Sequence, residues 1–176
     1  MTRPDRRVWW VSFALFGVLG ALWAMSVPTM GGPDEPAHVV KAAAVVRGDW
    51  NTEVSWAAGG FGTRIPRTRV HVPENYGLPV LNDQLACWGG KRHFRVICAP
   101  DLPTRSGPTT GSTTYVGTYQ PTYYLLVGWP SLVLAPDRGL LAMRLAGAAV
   151  VAALLASAAT GWCWPSRPPC CSSQAW

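Results

Sequence analysis

Charge is scarce in this sequence: 14% of its 176 residues are Asp, Glu, Lys or Arg, against 49% from the hydrophobic set. That is too little for a disordered acidic or basic tail. The 15 Lys and Arg outnumber the 9 Asp and Glu, but they are scattered singly, without the clustered stripe of a nucleic-acid surface, so no nucleic-acid partner is expected. A Walker loop, a nucleophile elbow and a paired C-x-x-C are also missing, which removes the chemistries that depend on them. What is plentiful is unevenly spread. Apolar residues crowd into the two ends, while the middle is polar and rich in Gly and Pro, so one soluble core is a poor fit.

No charged residue interrupts Val8 to Val27. About 20 residues at about 1.5 Å each span the roughly 30 Å of a bilayer core, so this run is expected to be a first transmembrane helix, 8–27. Arg3, Arg6 and Arg7 precede it with only Asp5 opposing, which places residues 1–7 in the cytoplasm. A cleavable signal peptide is the rival reading, since Ala24 and Ser26 have the spacing a peptidase reads, but the apolar run exceeds the usual length. A second run, 121–135, opens with Pro121 and is broken by Pro130, giving a short second crossing that needs neighbours to satisfy its backbone. A third, 140–160, has Arg144 as its one charge and a face of Ala146, Gly147, Ala149, Ala153 and Ala156 suited to close helix packing. Asp137, Arg138 and Arg144 then place the connection between the second and third runs on the cytoplasmic side. The expected fold class is an α-helical integral membrane protein of the cell membrane, with three transmembrane or membrane-embedded helices and a long extracytoplasmic loop, 28–120, between the first and second.

Within that loop Cys87 and Cys98 would meet an oxidising compartment, where a disulfide between them is expected. A zinc site from Cys87, His93 and Cys98 lacks a fourth ligand. The tail, 161–176, matches neither a lipid-facing helix nor an ordinary loop, and is expected to be out of frame with a longer polytopic protein.

One constellation carries chemistry. Directly after the first crossing stand Pro33, Asp34, Glu35, Pro36, Ala37, His38 and, three residues on, Lys41. Asp34 as N-cap, Pro36 in the first turn and Gly48 past the last turn predict a helix over about 35–47, ending at Arg47. Asp34, His38 and Lys41 then share one face, while Val39, Val40, Ala43 and Val46 fall on others. A carboxylate at the mouth of a crossing helix, beside a His and a Lys, suits general-base work on a hydroxyl with a cation near a phosphate. Simple capping plus a solvated face explains the same spacing. Glu35 and His38 also form half of a carboxylate-bridged metal site, but no second Glu-x-x-His exists, so no metal ligand is assigned. His71 and His93 read as surface loop histidines.

The order of an Arg-flanked crossing, Pro33-Asp34-Glu35-Pro36-Ala37-His38, a long loop, Gln120-Pro121-Thr122-Tyr123-Tyr124 and Met143-Arg144-Leu145 resembles the bacterial membrane family filed as domain of unknown function twenty-one forty-two. The resemblance runs from about Arg6 to Ala159 and departs at Thr122, where that family often has a second proline. Its layout is similar to that of the GT-C glycosyltransferases, which take a sugar from a polyprenyl-phosphate carrier on the outer face. The resemblance implies catalytic roles for Asp34 and Glu35, with Asp34 as base or acceptor organiser. His38, Lys41 and Arg47 are then the expected substrate-binding residues, Lys41 or Arg47 offsetting phosphate charge. Pro121, Tyr123, Tyr124 and Arg144 are expected to be structural. The implied partners are membrane lipid, a polyprenyl-linked sugar donor and further transmembrane helices of the same or another chain. No cofactor is assigned beyond that donor, and a divalent metal is left open. Because such proteins have many more crossings, the chain is expected to be inactive alone. The competing expectation is a non-catalytic, membrane-anchored protein that binds a partner or envelope polymer through residues 51–115.

Overall fold

The computed structural model describes residues 3–32, 34–58, 62–78, 80–81 and 101–162, with side chains from Arg6 to Thr160. The expected disulfide between Cys87 and Cys98, His93, and the tail beyond Trp162 lie outside the described residues. The elements are α1 (Arg3–Ser26), α2 (Glu35–Val45), β1 (Ser55–Ala58), β2 (Arg64–Pro73), a 3-10 turn (Glu74–Tyr76), β3 (Thr109–Thr114), α3 (Pro121–Gly128), α4 (Pro130–Val133) and α5 (Pro136–Trp162).

Two helices are long and apolar enough to cross a membrane, over Arg6–Ser26 and Pro136–Thr160. They are antiparallel. Trp9 donates to the Ser157 hydroxyl at 3.1 Å at one end, and Arg144 donates to the Ala24 carbonyl at 3.1 Å near the other. Between these, a side chain on Gly20 would come within 2.9 Å of the Ala148 methyl, so the missing side chain lets the backbones approach closely. Val11, Leu15, Val18 and Leu22 of α1 and Leu154 of α5 stay exposed, unlike the side chains of a soluble core helix. Of the small-residue face expected to seek another helix, Ala156 is buried and Gly147 faces the Tyr123 hydroxyl, whereas Ala149 stays exposed; the neighbouring Ala152 is buried as well.

The region expected as an outer loop has a fold of its own, and the molecule is not purely helical. Three strands pair antiparallel in the order β1-β2-β3, with Ser55 opposite Arg67 and Thr68 opposite Thr114. Alternation along β2 turns Thr68, Val70 and Val72 inward and Arg67, Arg69 and His71 outward. Helix α2 lies under the inner face. It is apolar nearly all round and buried all round, with Val40, Ala43, Ala44 and Val45 among Val70, Val72, Tyr76, Tyr124, Val127, Leu140 and Met143. Its end is as expected in kind: Gly48 has φ +83°, and the N–H groups of Gly48 and Asp49 close back on the Val45 and Ala44 carbonyls.

The expected second crossing is not a single helix. Pro130 divides it into α3 and the four-residue α4, and the eight residues of α3 reach about 12 Å, far short of a bilayer. Nor does the chain change ends there. The Tyr76 hydroxyl, from the strand layer, donates to the Leu134 carbonyl at 2.8 Å, and Tyr76 also packs on Gly139. The connection carrying Asp137 and Arg138 therefore lies at the same end as α2, not opposite it, and α5 begins at Pro136 rather than at residue 140.

Candidate functional site at the head of the helix pair

The acidic pair points two ways. Asp34 opens α2 with its backbone, its carbonyl accepting from the Ala37 and His38 N–H groups, but its carboxylate makes no capping bond. Instead Asp34 Oδ1 accepts from the Tyr115 hydroxyl at 2.6 Å. Burial, followed by that hydrogen bond, pushes the Tyr115 hydroxyl up to about 12. Glu35 turns inward to Arg144: Nε to Oε1 is 2.5 Å and Nη2 to Oε2 is 2.7 Å. The rest of the guanidinium closes on the end of α1, with Nη1 donating to the Ala24 and Val27 carbonyls and Nη2 to the Pro28 carbonyl. All five of its N–H donors are used. Arg144 thus ties the last turn of α1, the first turn of α2 and α5 together, and the bidentate fork requires arginine rather than lysine.

His38 sits one turn along α2. Its Nδ1 lies 2.9 Å from the Tyr124 hydroxyl, its ring stacks on Tyr124 at 5.9 Å, and Tyr119 meets it edge-on. Burial lowers the imidazole below its ordinary value, with Asp34 pulling the other way, so the ring is favoured neutral. Pro121 occupies the first turn of α3 and sets Tyr123 and Tyr124 over α2 and α5.

An open cleft of about 520 Å³ runs between α1 and α5, walled by Phe16, Trp23, Val151 and Leu155, with Glu35 and Arg144 at its head. A smaller cavity of about 110 Å³ shares Glu35, Tyr123, Met143 and Arg144 with it and extends to His38 and Tyr124. Together they form an apolar trough ending at ionised and hydrogen-bonding groups. Among the described residues no three His, Cys, Asp or Glu side chains gather as a metal site.

The structure assembles Asp34, Glu35, His38, Tyr123, Tyr124 and Arg144 in one region, and separates Lys41 and Arg47 from it. Lys41 is buried, its ammonium donating to the Gly117 carbonyl at 2.5 Å. Arg47 donates to the Ala43 carbonyl and to Ser131, holding α4 in place. Neither lines the trough, and both side chains are held in hydrogen bonds within the fold. Tyr115 and Tyr119 were not legible as site residues, because no local spacing links them to Asp34 and His38.

Residues 16–161 match the family described as Predicted membrane protein (DUF2142). The chain belongs to this family. No curated protein and no solved structure matches it. For a DUF2142 chain the two open, apolar helices are the ones able to cross a membrane, and the layer built on α2 sits at one of their ends.

Lys41 is expected to give this DUF2142 chain a pH-dependent stability. Burial pushes its ammonium below the ordinary 10.5, against the pull of Asp49. Below the lowered value both folded and unfolded states are protonated, and the fold carries the full cost of a desolvated cation. Between that value and 10.5 the unfolded chain binds more protons, so stability rises with pH and levels off above 10.5. Lys41→Met is expected to change stability near neutral pH by less than about 1 kcal/mol, the relief of not burying a cation being offset by the Gly117 carbonyl's lost donor, and to remove that rise. Denaturant unfolding at neutral and alkaline pH measures both, and an unchanged pH slope would assign the response to another group.

Proposed function

We propose that this chain is the front part of a polytopic membrane enzyme of the GT-C type, which transfers a sugar from a polyprenyl-phosphate carrier to an envelope acceptor. The observation that carries the reading is the junction of an acidic pair with an apolar trough: Glu35 heads the cleft between α1 and α5, and Asp34 adjoins it. In this reading Arg6 and Arg7 hold the N-terminus in the cytoplasm, and the layer built on α2 lies on the outer face. The cleft then takes isoprenoid chain, with the reacting headgroup at the level of His38 and Tyr124.

The chemistry is substitution at the anomeric carbon. The acceptor oxygen bonds to that carbon as the bond from carbon to phosphate oxygen breaks. The phosphate leaves with the electron pair, and the acceptor's proton passes to Asp34. Tyr115 fixes Oδ1 of that carboxylate, and Oδ2 makes no hydrogen bond among the described residues. Because all donors of Arg144 are engaged, and Lys41 and Arg47 are turned away, the positive charge for the departing phosphate is left to groups outside the described residues or to further transmembrane helices. The chain alone is expected to be inactive.

A photoactivatable polyprenyl-phosphate sugar, offered in bilayers to the full-length protein that contains this chain, is expected to label α1 and α5 around Phe16, Met143 and Val151. Unlabelled carrier should compete the label away. Carrier binding with no label on either helix would remove the cleft from donor recognition.

A further inference from the structure

We infer that the outward face of the strand layer is a docking surface for an acidic polysaccharide, centred on Arg67 and Arg69. The inference stands on the sheet alone and survives loss of the transfer reading. Alternation along β2 puts both arginines on the face opposite the core, roughly 7 Å apart along the strand. Both are exposed, and neither guanidinium has an ion-pair or hydrogen-bond partner among the described residues. The nearby carboxylate of Asp49 does not neutralise them, because it is committed to His71. It accepts from the His71 N–H at 2.6 Å and lies 3.1 Å from Nδ1. Burial would raise the Asp49 carboxyl, but those bonds and the Asn51 N–H outweigh it and hold it below its ordinary value.

Beside Arg69 lies a shallow cleft of about 270 Å³ that also presents Asn51, Glu53 and Ser55. The Asn51 amide and Ser55 hydroxyl are tied to the Arg69 and Arg67 carbonyls, which fixes this edge of the surface. A guanidinium that forks onto a carboxylate, with the Glu53 carboxylate beside it to meet hydroxyls, is a donor and acceptor set for a sugar acid. Repetition of the guanidinium along the strand fits anionic groups that recur along a linear chain. A lipid surface fits less well. The inner face of the sheet rests on α2, and α3 with the start of α5 lies beyond α2, so Arg67 and Arg69 face away from these helices.

The test uses the whole chain in phosphatidylcholine nanodiscs, with polygalacturonate as the probe and dextran as the neutral comparison. Polygalacturonate is expected to bind saturably and more weakly as salt rises, while dextran does not bind. Arg67→Gln with Arg69→Gln should weaken binding at least tenfold, and Arg138→Gln should leave it unchanged. Glu53→Ala separates recognition of a sugar from attraction to any polyanion: the inference requires weaker binding, whereas mere charge attraction would strengthen it. Equal binding by the double variant, tighter binding by Glu53→Ala, or arginine-dependent binding of phosphatidylglycerol vesicles without polygalacturonate would each overturn it. Circular dichroism of the variants confirms that these exposed substitutions leave the fold intact.

Discussion

Asp34→Asn in the full-length protein is expected to lower sugar transfer by about a hundredfold or more, while the protein keeps its place in the membrane. The substitution preserves size and keeps a carbonyl oxygen able to accept from Tyr115, so the start of α2 is retained. What it removes is the capacity to take a proton from the acceptor. Tyr115→Phe is the control, since it deletes the hydrogen bond and leaves the carboxylate, and transfer should fall by only a few fold. Transfer is read from a labelled carrier sugar, and membrane placement from extraction with the bilayer fraction. Full activity in Asp34→Asn would take this carboxylate out of the mechanism and leave Glu35 as the acid to examine.

Arg144→Met is expected to destabilise the chain by about 3 kcal/mol, because it strips Glu35 of its partner and leaves three carbonyls at the end of α1 without their donors. The Arg144 and Glu35 side chains are each 17% exposed, too enclosed for water to replace the lost bonds fully. At this chain length the loss corresponds to a fall of about 10 °C in the unfolding midpoint. Arg144→Lys should recover only part of it, since one ammonium cannot match a five-donor fork. Glu35→Gln should cost less than Arg144→Met, because the arginine keeps its three carbonyls. Unfolding in detergent measures all three, and a loss below about 1 kcal/mol for Arg144→Met would show that the tie contributes little, as surface pairs do.

Legibility in the sequence followed the range of the interactions involved. The uncharged run of α1 and the apolar body of α5 were readable because solvation by lipid is a property of the segment itself. Local chemistry likewise announced both ends of α2, through Pro36 and Gly48. The strands escaped notice although β2 carries a period of two, with Thr68, Val70 and Val72 alternating with Arg67, Arg69 and His71. Pro66 and the Gly-rich surroundings read as loop, and a strand depends on partners far along the chain to be recognised. The second crossing was misplaced for a related reason. Apolar content over 121–135 predicts a crossing, whereas Tyr124 and Val127 pack on α2 and Leu125, Leu126, Trp129, Leu132 and Val133 stay exposed along a segment that Pro130 cuts too short to span. At the site, Asp34, Glu35 and His38 were found by helical spacing, but Tyr115 reaches Asp34 across 81 residues, a distance no local pattern encodes.

The antiparallel run of α1 and α5 has a consequence for how the chain sits across a barrier. With α3 and α4 confined to the end where α2 lies, α1 and α5 are, among the described residues, the two helices able to go over and come back. If both do so, reporters fused ahead of Arg6 and directly behind Trp162 are expected to answer from the same compartment.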